Sequence, residues 1–135
     1  VIMSNCVFCD ILATRSTRII DENENWFIIE DIKPASRFHC LVIPKSHIGP
    51  VSALGPQNRG LIKEMVDAGN EMLESKGYSV KQRRLGFHRP PFNSVTHLHL
   101  HCIGLPITNV LMRTLFPSFN CRWFYHADRL LNKLN

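Results

Sequence analysis

Histidine recurs at every second position over His97, His99 and His101, with Leu98, Leu100 and Cys102 in between. Successive side chains of an extended segment point to opposite faces. The alternation therefore predicts three imidazoles on one side of a strand and an apolar underside turned to a core. Two chemistries suit such a face. A His-x-His pair on a rigid strand can chelate zinc, imidazole being a common ligand for that ion. A neutral imidazole can instead attack phosphorus and form a phosphoramidate, while neighbouring imidazoles donate protons and stabilise charge on the phosphoryl oxygens. Cys6 and Cys9, spaced as Cys-x-x-Cys, fit half of a zinc site or a redox pair. Asp31, ahead of Pro34, reads as a turn residue.

The elements that must position these residues follow from the pattern around them. Val7, Phe8, Ile11 and Leu12 have helical spacing behind the capping residue Asn5, which predicts a short helix over 5–13. Arg18 to Ile20 and Trp26 to Ile32 are β-prone runs across a polar turn and read as a hairpin; Phe38 to Ile43 is a third, buried strand closed by Pro44. Beyond Gly55 and Pro56, Leu61, Ile62, Met65, Val66, Met72 and Leu73 repeat near the helical period until Gly77 stops the helix. Arg83 to His88 and Val95 to Ile103 complete the strands, with a loop between them pinned by Pro90 and Pro91. After Pro106 the pattern fades, apart from a terminal helix over Ala127 to Leu134. Strands, a long helix and further strands give an α+β domain: an antiparallel sheet covered on one face by helix.

The chain has 135 residues, 44% hydrophobic and 20% charged, and so has material for one core and one domain. Within 1–135, residues 1–4 are expected to stand outside the fold and 107–135 to form an extension. No apolar run has the length of a membrane span, and no basic segment precedes the apolar start, so neither membrane nor secretion is expected. Sixteen Lys and Arg against eleven Asp and Glu leave a charge of +5, which favours anionic partners in general. Five cysteines, three of them (Cys40, Cys102, Cys121) beside apolar neighbours, suit a reducing intracellular compartment, cytoplasmic or nuclear.

The run His97-Leu98-His99-Leu100-His101-Cys102-Ile103 resembles the signature of the histidine triad family of nucleotide hydrolases and transferases. Asp31 to Pro34 with Phe38 to Ile48 resembles an earlier block of the same family, at the expected distance. Gly86 to Phe92 and Phe119 to Asp128 look most like the third branch of its nucleotide-binding proteins. The resemblance implies the family fold, with one long central helix and a short C-terminal helix. It also implies cleavage of the P–N bond of adenosine 5′-phosphoramidates, and acyl-adenylates as a further class. His99 is then the nucleophile that forms a nucleotidyl-histidine, His101 handles protons and contacts phosphate, His97 completes the triad, and His39 supports it. Ser94 binds the phosphate or leaving group, Asn93 stands where relatives often have Gln, Asp31 accepts the ribose hydroxyls, and Ile32 walls the base pocket.

Departures from the family pattern bear on substrate choice. Relatives often carry glycines before the triad, whereas Pro90 and Pro91 have no N–H to offer a phosphate, which shifts that contact to Ser94, His88 or Arg89. No cofactor is implied for catalysis. Some relatives hold structural zinc, and the matching set here is Cys6, Cys9, His47 and His97, a four-ligand combination suited to that ion. Expected partners are a purine nucleotide substrate, AMP joined to an amine, and a second copy in a homodimer. The tail loosely resembles that of aprataxin, so removal of AMP from adenylated DNA ends is the alternative reaction, with nucleic acid as partner. A regulatory module that binds AMP without turnover is a further alternative.

Overall fold

The computed structural model describes residues 5–88, 95–115 and 124–135. The first described helix, α1 (Val7–Ala13), is capped by Cys6, whose Sγ accepts the N–H of Cys9 at 3.4 Å, so Cys6 takes the role expected of Asn5. A hairpin of β1 (Ile19–Glu22) and β2 (Trp26–Glu30) follows, then β3 (His39–Pro44). The long helix α2 (Arg59–Ser75) leads to β4 (Arg83–His88) and β5 (Leu100–Gly104). A short α3 (Val110–Leu115), the three-residue β6 (Phe124–His126) and α4 (Ala127–Lys133) complete the described chain.

These strands form one antiparallel six-stranded sheet in the order β1-β2-β3-β5-β4-β6. Its central strands, β3 and β5, are buried at every residue because both faces are covered. On one face α2 and α4 bring Ile62, Met65, Leu73 and Leu130 against Ile28, Val42, Leu100 and Cys102. On the other, Phe8 and Ile11 of α1 cover Phe27, Ile29, Leu41 and Ile43. Helix therefore lies on both faces rather than on one. Cys40 and Cys102 are buried free thiols within the first of these cores, packed as small hydrophobes; Cys121 lies outside the described residues.

The segment carrying the histidines differs from the expected strand over Val95 to Ile103. Ladder pairing begins at Leu100, opposite Val42, and runs to Gly104. Two residues further β3 ends at Pro44, which has no N–H to give. Leu98 donates instead to the carbonyl of Ile48 at 2.7 Å, and the His97 ring donates to the carbonyl of Pro44 at 2.9 Å. The first two histidines thus hang on the loop leaving β3, and His101 alone sits within the strand. Among the described residues no helix is long and apolar enough to cross a membrane.

Candidate active site and metal tetrad

His101 lies opposite Leu41 of β3 and Gly86 of β4, so its side chain stands on the α1 side of the sheet. There a cleft of about 520 Å³ opens, lined by Asp31, Ile32, His39, His88, His99 and His101, within the range of small-molecule sites. Phe8, Leu41, Val95 and Met112 supply apolar wall, and Arg18 and Lys33 bring positive charge. Ile32, one of the residues lining the cleft, is 73% exposed. Phe8 carried a helical periodicity signal and Leu41 a buried-strand signal. Neither signal says that the residue faces a cleft, and Met112 sits where the pattern had faded.

Hydrogen bonds fix the proton positions in this cleft. Nδ1 of His99 lies 2.8 Å from the carbonyl oxygen of His97; a carbonyl only accepts, so Nδ1 carries the proton and Nε2 keeps its lone pair. Burial, the largest influence, pulls the His99 pKa below its ordinary value, which holds the ring neutral. The same logic runs through the next pair. Ala35 donates its N–H to Nδ1 of His39 at 3.0 Å, which leaves the His39 proton on Nε2. That Nε2 lies 2.9 Å from Nδ1 of His101 and donates to it, so the His101 proton sits on Nε2. This last atom is buried and has no hydrogen-bond partner among the described residues. It is a donor waiting for an acceptor, on a ring that burial keeps well below the ordinary histidine pKa. Burial likewise lowers His39 to about 4, although the Asp31 carboxylate 3.4 Å from its Nε2 pulls the other way.

The three triad rings do not converge. His99 and His101 line the cleft, with ring centroids 5.0 Å apart. The His97 ring faces away from it, and Phe8 packs edge-on against both His97 and His99. Because Nε2 of His97 donates to Pro44, its Nδ1 is a free lone pair, and it points at Cys6 Sγ (3.2 Å) and Cys9 Sγ (3.5 Å). His47 Nδ1 is 3.2 Å from Cys9 Sγ, and one donor atom from each of Cys6, Cys9, His47 and His97 lies within 4.8 Å of the others. Tetrahedral zinc with ordinary bond lengths sets its sulfur and nitrogen ligands roughly 3.5 Å apart, so the donor set and its spacing fit that ion. Metal-type donors therefore gather around His97 with two thiols, not around a His97–His99 pair. Without an ion, burial, with the neighbouring Cys6 adding to it, raises the Cys9 thiol to about 11.

Asp31 serves its turn as well as the cleft: Oδ1 accepts the N–H of Lys33 at 2.9 Å while Oδ2 faces the His39–His101 pair. The turn bond therefore leaves Oδ2 turned to the cleft, and each carboxylate oxygen can accept more than one bond. His88 stacks on His101 with centroids 4.1 Å apart and planes 17° from parallel. Asn93, Ser94, Arg89, Pro90 and Pro91 lie outside the described residues.

Known proteins provide an independent measure. A family profile described as scavenger mRNA decapping enzyme C-term binding matches residues 5–114. The Mus musculus protein adenosine 5′-monophosphoramidase HINT3 is 40% identical over 97% of this chain and 82% of its own length. The Arabidopsis thaliana bifunctional adenosine 5′-phosphosulfate phosphorylase/adenylylsulfatase HINT4 is 38% identical over 96% of this chain and 90% of its own. Gallus gallus aprataxin is 26% identical over 82% of this chain but only 35% of its own length. Among solved structures, a HIT family hydrolase from Clostridium thermocellum superposes with a TM-score of 0.70 at 33% identity, over 78% of this chain and 94% of that one.

Proposed function

The chain belongs to the histidine triad family, and from that premise we propose that it hydrolyses the P–N bond of adenosine 5′-phosphoramidates through a nucleotidyl-histidine formed on His99. The observation that carries this reading is the bond from His99 Nδ1 to the His97 carbonyl, which leaves a neutral imidazole with its Nε2 lone pair available. Nε2 attacks the α-phosphorus as the amine departs with the electrons of the P–N bond and takes up a proton from solvent, which the water of the second step gives back. Nε2–H of His101 faces the developing charge on a phosphoryl oxygen, and His39, held by Ala35, keeps His101 in the donating tautomer. Water then attacks phosphorus, AMP leaves, and His99 returns to its neutral state. Asp31 accepts from the ribose and the exposed Ile32 covers one face of the base. Ser94 keeps the phosphate or leaving-group role that the resemblance assigns it, and Asn93 a substrate-binding place where relatives often have Gln.

No cofactor enters these steps. A structural zinc held by Cys6, Cys9, His47 and His97 would tie α1 to the loop after β3 and to the residue whose carbonyl orients His99. The free thiols suit a reducing intracellular setting, cytoplasmic or nuclear.

The test is hydrolysis of an adenosine 5′-phosphoramidate by the wild type and by His99→Ala, with and without a chelator. Turnover is expected to vanish in the variant and to survive the chelator, and wild type quenched in alkaline denaturant is expected to carry AMP on His99. A folded wild type that binds AMP without turning over would replace the reaction with a regulatory module. The aprataxin likeness favours a second reading, removal of AMP from adenylated DNA ends. A 5′-adenylated oligonucleotide in the same assay separates the two, because preference for it over the phosphoramidate would reverse their order.

A further inference from the structure

The residues between Cys6 and Cys9 are Val7 and Phe8, and both line the catalytic cleft. The Cys-x-x-Cys spacing is one that a disulfide can close. The fold draws the two sulfurs together: the N–H of Cys9 donates to Cys6 Sγ at 3.4 Å, and His97 Nδ1 lies 3.2 Å from Cys6 Sγ and 3.5 Å from Cys9 Sγ. Both thiols are half-buried on the wall of a cavity of about 610 Å³, wide enough for hydrogen peroxide. Cys40 and Cys102 are fully buried in the α2 core, so among the described cysteines an oxidant in solution meets Cys6 and Cys9 first.

The stretch that such a bond would close touches the nucleophile. Phe8 is buried and packs edge-on against His97 and His99, with ring centroids 5.8 and 5.0 Å away. Joining the sulfurs re-forms the four-residue loop that carries this ring. The sulfurs of a disulfide bear neither a proton to donate nor the charge of a metal-binding thiolate. His97 and His47 therefore lose their thiol partners together.

We propose that Cys6 and Cys9 are a reversible thiol–disulfide pair through which a peroxide empties the metal tetrad and displaces Phe8 from His99. Two thiols and one hydrogen peroxide give one disulfide and two waters. One sulfur attacks a peroxide oxygen, the O–O bond breaks, and a sulfenic acid and the first water result. The second sulfur then displaces the sulfenic oxygen as the second water. Two imidazoles of the four ligands remain, too few for tetrahedral zinc. A disulfide that forms and is reduced again in this way is compatible with a reducing compartment. The effect on rate rests on the phosphoramidase reading; the disulfide and the loss of metal do not.

The experiment loads the full chain with zinc and titrates it with hydrogen peroxide. It reads non-reduced peptide maps, zinc released to a colorimetric chelator, phosphoramidate kinetics, and the His99 ring-proton signal, which the adjacent Phe8 ring displaces. A linked Cys6–Cys9 peptide is expected, with zinc released in step with it and the His99 signal moved. In the linked protein kcat should be about threefold to tenfold below that of protein stripped by chelator alone, as for a nucleophile slightly misplaced. Dithiothreitol with fresh zinc should restore every reading. Cys9→Ser should lose these responses to peroxide whatever its starting rate, and if that variant does not fold, the wild-type maps and signals decide. Oxidation of either sulfur to sulfinic acid, its linkage to another cysteine, or zinc retained by a linked pair overturns the switch. A linked pair with an unmoved His99 signal and the kcat of stripped protein overturns the control of Phe8. Linkage, zinc release and a moved His99 signal without phosphoramidate turnover in either state retire the reaction and support the switch.

Discussion

A single hydrogen bond at His99 decides which nitrogen can react, and a chain of two more decides what His101 can donate. His39→Ala removes the middle of that chain, so Nδ1 of His101 loses its donor and the tautomer is no longer held. Its kcat for phosphoramidate hydrolysis is expected to fall about a hundredfold, within the range of general acid–base effects, with AMP affinity little changed, measured by steady-state kinetics and calorimetric titration. The His39 pair also carries a pH signature. Its folded pKa of about 4 lies below the ordinary 6.5, so the unfolded chain binds the proton more readily between those values. Stability from this group is therefore fully present above 6.5 and is lost as pH falls from there towards 4. The melting temperature should decline through that window in the wild type and decline less steeply in His39→Ala, read by circular dichroism melts at closely spaced pH. At this scale the sequence exposed the residue types and their spacing. It did not expose the tautomers, because those depend on carbonyl and amide groups of residues such as Pro44 and Ala35 that any side chain could have supplied.

Elements position these residues by how they end as much as by how they run. β3 stops at Pro44, and the next stretch crosses Gly49, whose φ is +121° and whose added Cβ would lie 2.5 Å from the Thr96 carbonyl oxygen. Gly49→Ala is therefore expected to cost about 1–3 kcal/mol of stability through backbone strain. It should also lower kcat by pushing on the segment that carries His97 and His99, both outcomes read from urea unfolding and steady-state rates. The alternation of histidine with leucine suggested an unbroken strand because periodicity reports which side chains are apolar. It is silent about whether a ladder partner has an N–H to give. α2 and β3 were legible for the opposite reason. Their apolar positions meet a sheet or a helix at every repeat, so the local pattern and the tertiary environment agree. β6 and α3 are too short for a period to register, and both owe their place to contacts with distant residues: Phe124 with Gly86, and the backbone of Thr108 and Asn109 with the Ala35 carbonyl.

Across the whole molecule, the tetrad of Cys6, Cys9, His47 and His97, which could hold a metal ion, joins three regions that are far apart in the chain: the start of α1, the loop after β3, and the approach to β5. Removing a bound zinc from the protein is expected to lower its melting temperature by several degrees while leaving measurable turnover, because no catalytic proton passes through the tetrad. Metal analysis alongside calorimetry checks this, and Cys9→Ser should reproduce the loss. Sequence by itself determined the histidine motif, the α+β class and the family, since a dense motif and strongly periodic elements are local properties of the chain. Tertiary structure alone decided that His97 turns to the cysteines while His99 and His101 turn to the cleft. It also placed helix on both faces of the sheet and brought the β6–α4 segment to the outer edge of β4. These outcomes rest on which buried donor finds which acceptor and on which face a neighbouring element covers, and such pairings exist only once residues some ninety positions apart, like Cys6 and His97, have been brought together.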